Sequence, residues 1–226
     1  MKIAVGGMFQ NSMKYLDRAI AQYFSLIAAA PQHQFDFIFA EGDSTDNSAT
    51  WNRLNEIFPG STFKREHKGK IYGSVDDSQR WTQIAYVVDG ILERVKPEHD
   101  ALLYVESDLL WEPKTLLTLL SYLDRVEAAV PMIWMRGVFY DIWAYAKDGV
   151  KFTGNPPYHR TLTQPTSNGL HEIDSGGGCL AVRGDIARKC RCIPKAKALV
   201  GFYTEMRRRG HKVWVDPKIG VLHPPL

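Results

Sequence analysis

Apolar positions along the chain switch between two spacings. Lys2 to Gly7 is a short apolar run closed by Gly6 and Gly7, as a buried strand would be. Asn11 or Ser12 then stands where a helix cap belongs, and Tyr15, Ala19, Tyr23, Leu26 and Ile27 recur at helical spacing as far as about Ala30. Phe35 to Ala40 predicts a second strand, followed by a loop and cap cluster at Asp43, Ser44 and Asp46. Helical spacing resumes until Pro59 and Gly60 stop it. Residues 61–72 are basic and irregular, with room for a strand and a loop. Ser74 to Lys96 predicts a long helix ended before Pro97, and Ala101 to Val105 a third, uncharged strand. Pro113 opens another helix at its first-turn position, running to about Val126.

This alternation predicts an α/β fold, a mainly parallel central sheet flanked by helices. The reading is of one domain over 1–226, in two parts, 1–130 and 131–226. The second half is less regular. Strands are expected within Ile133 to Ala146, at Cys179 to Arg183 and at Val213 to Val215, and a helix from Leu199 to Arg209 stopped by Gly210. Residues 149–172 read as one long loop, a candidate lid or acceptor loop. In sheets of this kind ligands sit beyond the carboxyl ends of the strands. Two acidic clusters, Glu41–Asp46 and Glu106–Asp108, fall at such ends.

Composition narrows the classes. The chain has 226 residues, 45% of them hydrophobic and 23% charged, which suits a globular domain with a large core. A net charge of +3 fits an anionic substrate without requiring nucleic acid. The densest basic run, Arg207 to Arg209, ends a predicted helix, where cations suit the helix dipole. Three cysteines form neither a disulfide framework nor a zinc pattern, so a reducing, cytoplasmic setting is expected. No apolar run reaches transmembrane length.

The chemistry concentrates at strand ends. Glu106 and Asp108, at i and i+2 on an extended chain, would project the same way, and two like charges held close call for a cation such as a hard divalent ion. The bland alternative is an acidic turn. Glu41 and Asp43 offer acceptors to a base or ribose, or else cap the next helix. His223, alone near the C-terminus, is by itself more often structural than a ligand. Arg80, Lys68 and Lys70 can neutralise a diphosphate, although a solvated basic loop explains the lysines equally. The glycines of Asp174-Ser175-Gly176-Gly177-Gly178 either admit a sugar against the backbone or make a plain turn. No GxSxG, HExxH or GxGxxG motif is present, which removes the usual support for hydrolase, zinc-protease and dinucleotide readings.

These pieces, in this order, resemble GT-A glycosyltransferases. FIFAEGDSTDNS is similar to the segment that family-two-like transferases write as VVDDGSTDNT, with Glu41 where their base-binding aspartate sits. DALLYVESDLLWEP resembles DYILFLDSDDILEP, so Glu106 and Asp108 match the metal-binding DxD, with Glu in place of its first Asp. GHKVWVDPKIGVLH resembles the closing GYRLVYVPEAVVYH, whose His is a metal ligand in several members and corresponds to His223. FQNSMKYLDRAIAQ is similar to the opening of fungal mannosyltransferases of the mannan-polymerase type, and FYDIWAYAKDG to a segment of capsule mannosyltransferases. Those relatives are retaining and carry membrane anchors. The Glu-Asp pair that inverting relatives place about a dozen residues before the glycine matching Gly210 is missing, since that window reads Ala198-Leu199-Val200-Gly201. Retention agrees with that gap. Asp141, Asp174 and Glu205 stay candidates for a base, so the stereochemical course stays open.

The resemblance implies a nucleotide-sugar donor, UDP- or GDP-linked, and Mn²⁺ or Mg²⁺ held by Glu106, Asp108 and His223. Glu41 and Asp43 would hold the nucleoside and Arg80 the diphosphate. Asp141, Trp143 and Asp174 would serve the sugar and an acceptor of unknown class. Two rivals stand beside it. A nucleotidyltransferase shares the sheet and metal logic but wants a basic glycine loop after the first strand, where this chain has GGMFQNSMK. A non-catalytic carbohydrate- or nucleic-acid-binding module would show no metal dependence, and for nucleic acid a steep salt dependence.

Overall fold

The computed structural model describes residues 1–65, 77–194, 196 and 199–224. The expected basic residues Lys68 and Lys70 lie outside them, as does the predicted helix start at Ser74.

In the first half, β1 (Lys2–Phe9) leads to α1 (Met13–Ala29), β2 (Gln34–Glu41), α2 (Ala49–Ile57), β3 (Thr62–Lys64), α3 (Ser78–Leu92), β4 (Ala101–Val105) and α4 (Pro113–Tyr122). These four strands are parallel and lie in the order β3-β2-β1-β4. Their carboxyl ends therefore share one edge of the sheet. Helix α1 turns Leu16, Ala19, Ile20, Tyr23 and Leu26 inward. Ile27, expected on that face, is at the surface, and Tyr15 points to the cavity described below. Tyr23, Phe37, Phe39, Phe58 and Trp111 form an aromatic cluster beneath α1 and α2, with ring centroids 4.7–6.2 Å apart.

The second half adds β5 (Ala128–Met135), β6 (Val138–Phe139), β7 (Ala146–Lys147), β8 (Val150–Lys151), β9 (His171–Ile173), β10 (Cys179–Arg183), α5 (Gly184–Lys189), α6 (Val200–Arg208) and β11 (Val213–Leu222). It extends the same sheet as β4-β10-β5-β11-β9, with β6 paired to β5, so nine strands share one sheet. Strand β10 runs antiparallel to both neighbours, and β11 pairs parallel with β5. The sheet is mainly parallel, as the alternation predicts, with these antiparallel additions.

Segment 149–172 is not structureless. It holds β8, a 3₁₀ turn at Arg160–Thr163 and the start of β9. Strands β7 and β8 form a hairpin whose turn residues Asp148 and Gly149 have φ of 52° and 73°, the geometry a two-residue Asp-Gly turn adopts. No described helix is long and apolar enough to cross a membrane.

Candidate active site

Glu106 follows the last residue of β4, and its N–H donates to the Gly178 carbonyl at 2.9 Å, just before β10. The chain then turns, with Leu109 N–H on the Glu106 carbonyl at 3.2 Å, so Glu106 and Asp108 come together through a turn rather than an extended strand. Two elements pin that turn. From α1, Arg18 Nη2 donates to the Asp108 carbonyl and Gln22 Nε2 to that of Trp111, both at 2.8 Å. From β11, Leu222 exchanges backbone hydrogen bonds with Leu110 at 2.7 and 2.8 Å.

That second pin delivers His223. Its N–H donates to the Trp134 carbonyl at 2.7 Å, and its ring stacks on Tyr140 with centroids 4.3 Å apart. Nδ1 lies 2.7 Å from the Pro224 carbonyl, which accepts only from a protonated nitrogen, so Nδ1 carries a hydrogen. Nε2 faces Asp108 Oδ2 at 3.4 Å. The register of β11 against β5 shifts between Asp216 and Gly220, upstream of His223. Asp216 there accepts from Tyr122 Oη at 2.5 Å and from Lys218 N–H at 2.8 Å.

Glu106, Asp108 and His223 line one cavity of about 430 Å³ together with Arg80, Asp141 and Trp143. Arg80 comes from the first turn of α3, and among the described residues it has no ion-pair partner. Trp143 is 42% exposed at the rim. Lys151 Nζ donates to its carbonyl at 2.6 Å.

The electrostatics show an acidic centre. Burial, reinforced by the charges of Asp108 and Asp141, pushes the Glu106 carboxyl far above the usual carboxylate range, against His223 and Arg80. Burial lifts Asp141 to about 6, opposed by the Ala144 N–H, Lys151 and His223. The hydrogen bond to Asp108 raises His223 despite its partial burial. Hard oxygen donors beside an imidazole nitrogen suit Mn²⁺ or Mg²⁺, which need only one or two carboxylates when water and phosphate complete the shell. Among the described residues no three such groups already enclose an ion-sized site.

Other expected site residues lie elsewhere. Glu41 ends β2 almost fully buried, its Oε2 3.5 Å from Lys64 Nζ and without a hydrogen bond; its neighbour Gly42, not Glu41, lines the cavity. Asp43 adopts φ 55°, and its carbonyl accepts from Gln10 Nε2 at 3.4 Å. Asp174 is turned away from the cavity: it accepts from Gly149 N–H at 3.0 Å and pairs with Arg207 at 3.3 Å. Glu205 is likewise remote, held by Arg208 at 3.3 Å and Arg209 at 2.7 Å. Both acids pair with the basic run at the end of α6. Segment 149–172 contributes no residue to the cavity wall. Sequence reasoning missed Arg18 and Tyr140, which act on Asp108 and His223 from distant parts of the chain.

No family model and no curated protein sequence matches this chain. Solved structures do. S. aureus TarS in complex with UDP-GlcNAc superposes with a TM-score of 0.56 at 12% identity, over 100% of this chain and 59% of TarS. The mannosyltransferase PcManGT from Pyrobaculum calidifontis, in complex with GDP-Man and Mn²⁺, gives 0.57 at 11% identity, over 97% of this chain and 56% of that one. GalNAc-T7 with UDP, GalNAc and Mn²⁺ gives 0.56 at 14%, over 100% and 44%. The fold is thus the GT-A type of the nucleotide-sugar glycosyltransferases. This chain spans between 44% and 59% of the length of these three.

Proposed function

We propose that the chain is a metal-dependent glycosyltransferase that moves a sugar from a UDP- or GDP-sugar to an acceptor. The observation that supports this most is the meeting of Glu106, Asp108 and His223 at the carboxyl end of β4, in a cavity that also receives Arg80. Sequence-distant groups converge there because the Leu110–Leu222 bridge brings the end of β11 to the loop after β4.

The nucleoside would enter at the end of β2 past Gly42, which lines the cavity, with the buried Glu41 and with Asp43 flanking that glycine rather than lining the wall. Asp108 and His223 Nε2, with Glu106, hold the divalent ion. Bound there, the ion would serve as a Lewis acid toward the departing diphosphate. Arg80 donates to the same phosphates, and among the described residues no ion pair ties up its guanidinium, although it feels the Glu106 charge. Trp143 offers a ring face to the sugar or acceptor. Asp141, near 6, is mostly ionised at neutral pH and still basic enough to accept a proton from an acceptor hydroxyl. Asp141 taking that proton belongs to an inverting displacement; Asp141 only orienting the hydroxyl belongs to a retaining one, and the coupling constant of the product's anomeric proton separates them. The acceptor class is left to screening.

The test is turnover chemistry. Purified protein with UDP- or GDP-sugars and Mn²⁺ should release nucleoside diphosphate, and EDTA should abolish the release. Pyrophosphate as product would assign the chain to the nucleotidyltransferases. No release from either class of donor, with a panel of acceptors, would defeat the proposal.

A further inference from the structure

Gly176, Gly177 and Gly178 lead into β10, and none has a positive φ. Their backbone conformations do not call for glycine, so the reason must be space. A Cβ on Gly178 would lie 2.1 Å from Glu106 Cδ and 2.2 and 2.6 Å from its two carboxylate oxygens; these are its three nearest atoms. The backbone there is held in place. The Gly178 carbonyl accepts from Glu106 N–H at 2.9 Å, and the next pair, Cys179 and Val105, is in the antiparallel ladder. Glu106 carries one methylene more than the aspartate that opens the motif it resembles. That methylene takes the carboxylate into the volume a Cβ would fill.

We infer that Gly178 is a positioning residue coupled to the length of the side chain at 106. The missing Cβ makes the notch that seats the Glu106 carboxylate at the cavity wall. Only a shorter acid would tolerate a side chain at 178. Gly177 serves as a control, because its Cβ would meet Asp141 Oδ2 at 2.1 Å, Ile133 Cδ1 at 2.6 Å and Tyr145 Cε2 at 3.0 Å, none of them part of Glu106.

The metal half of this inference rests on the function proposed above; the steric half does not, so two readouts are taken. Wild type, Gly178→Ala, Glu106→Asp and the double variant are compared by melting midpoint in EDTA and by Mn²⁺ binding, followed through the EPR signal of free Mn²⁺. Gly178→Ala alone should lower the midpoint by roughly 4 °C, as overpacking does in a domain of this size. It should also weaken Mn²⁺ binding by about tenfold, as displaced metal surroundings do. In the Glu106→Asp background the same substitution should leave both readouts nearly unchanged, a non-additivity expected only of groups in contact. Glu106→Asp should not rescue Gly177→Ala. If Gly178→Ala does not fold, recovery of a folded protein on adding Glu106→Asp is the same result, and failure to recover overturns the inference. Equal losses in both backgrounds overturn it too. If wild type binds no Mn²⁺, the metal reading fails, and the melting comparison alone decides the coupling.

Discussion

His223 shows how one side chain acquires a role from its neighbours. The Pro224 carbonyl fixes a proton on Nδ1, so Nε2 is the nitrogen that faces Asp108 and that would give up its proton to hold a metal, and Tyr140 holds the ring by stacking. His223→Ala should therefore weaken Mn²⁺ binding by about 10- to 100-fold, measured by calorimetry. Asp141 makes a pH prediction. Its native value of about 6 lies above its ordinary 3.8, so between those values the native state holds a proton that the unfolded state has released. Metal-free stability should fall as pH rises from about 4 through 6, by up to about 3 kcal/mol from this group. Burial of Glu106 extends the fall to higher pH. Urea unfolding at a series of pH values in EDTA should show the decline, and Asp141→Asn should flatten its lower part. A slope unchanged by that substitution would place the cause elsewhere.

At the scale of elements, the loop after β4 is held by α1 on one side and β11 on the other. Arg18→Ala removes a charged donor from the Asp108 carbonyl and should cost about 1.5–3 kcal/mol, read by urea unfolding. Mn²⁺ affinity should drop with it, because the carbonyl and the carboxylate belong to one residue; stability loss with unchanged Mn²⁺ affinity would show that the clamp does not place the carboxylate. The strands and helices of the first half were legible in the sequence because each has a clean period. Met13–Ala29 and Pro113–Tyr122 end within a few residues of where the pattern puts them. The misses have local causes. Periodicity on α1 picked out Ile27 because apolar residues ring more than one face of that helix. The β7–β8 hairpin passed as loop because its strands are two residues each, too short for a period, although Asp148-Gly149 carries the turn signal. Helix α5, with six residues, is equally below what spacing can show.

At the scale of the whole molecule, the sheet does the assembling. Four parallel strands bring the ends of β1, β2 and β4 to one edge, and the antiparallel insertion of β10 lays its glycines against the end of β4. Glu106, Asp108 and His223 were legible as a set through the resemblance of two separated segments, and the strand order accounts for their meeting. Asp174 and Glu205 were not separable from Asp141 in the sequence. All three are acids near glycines or basic residues, and only the tertiary pairing with Arg207, Arg208 and Arg209 takes two of them away. The same fold in TarS, GalNAc-T7 and PcManGT, at 11–14% identity, is a likeness of architecture. Among the described residues, the acids, histidine and arginine on which the proposed chemistry rests line one cavity.

Thermal shift reports whether a nucleotide-sugar is held through a divalent ion on Asp108 and His223. Wild type and Asp108→Asn would be compared with UDP- and GDP-sugars, each in Mn²⁺ and in EDTA. One donor class should stabilise the wild type in Mn²⁺ alone, by about 2.7 kcal/mol at a hundred times its dissociation constant, and Asp108→Asn should abolish the effect. Stabilisation that survives EDTA or Asp108→Asn would contradict the metal assignment, and no stabilisation by any donor would contradict the account as a whole.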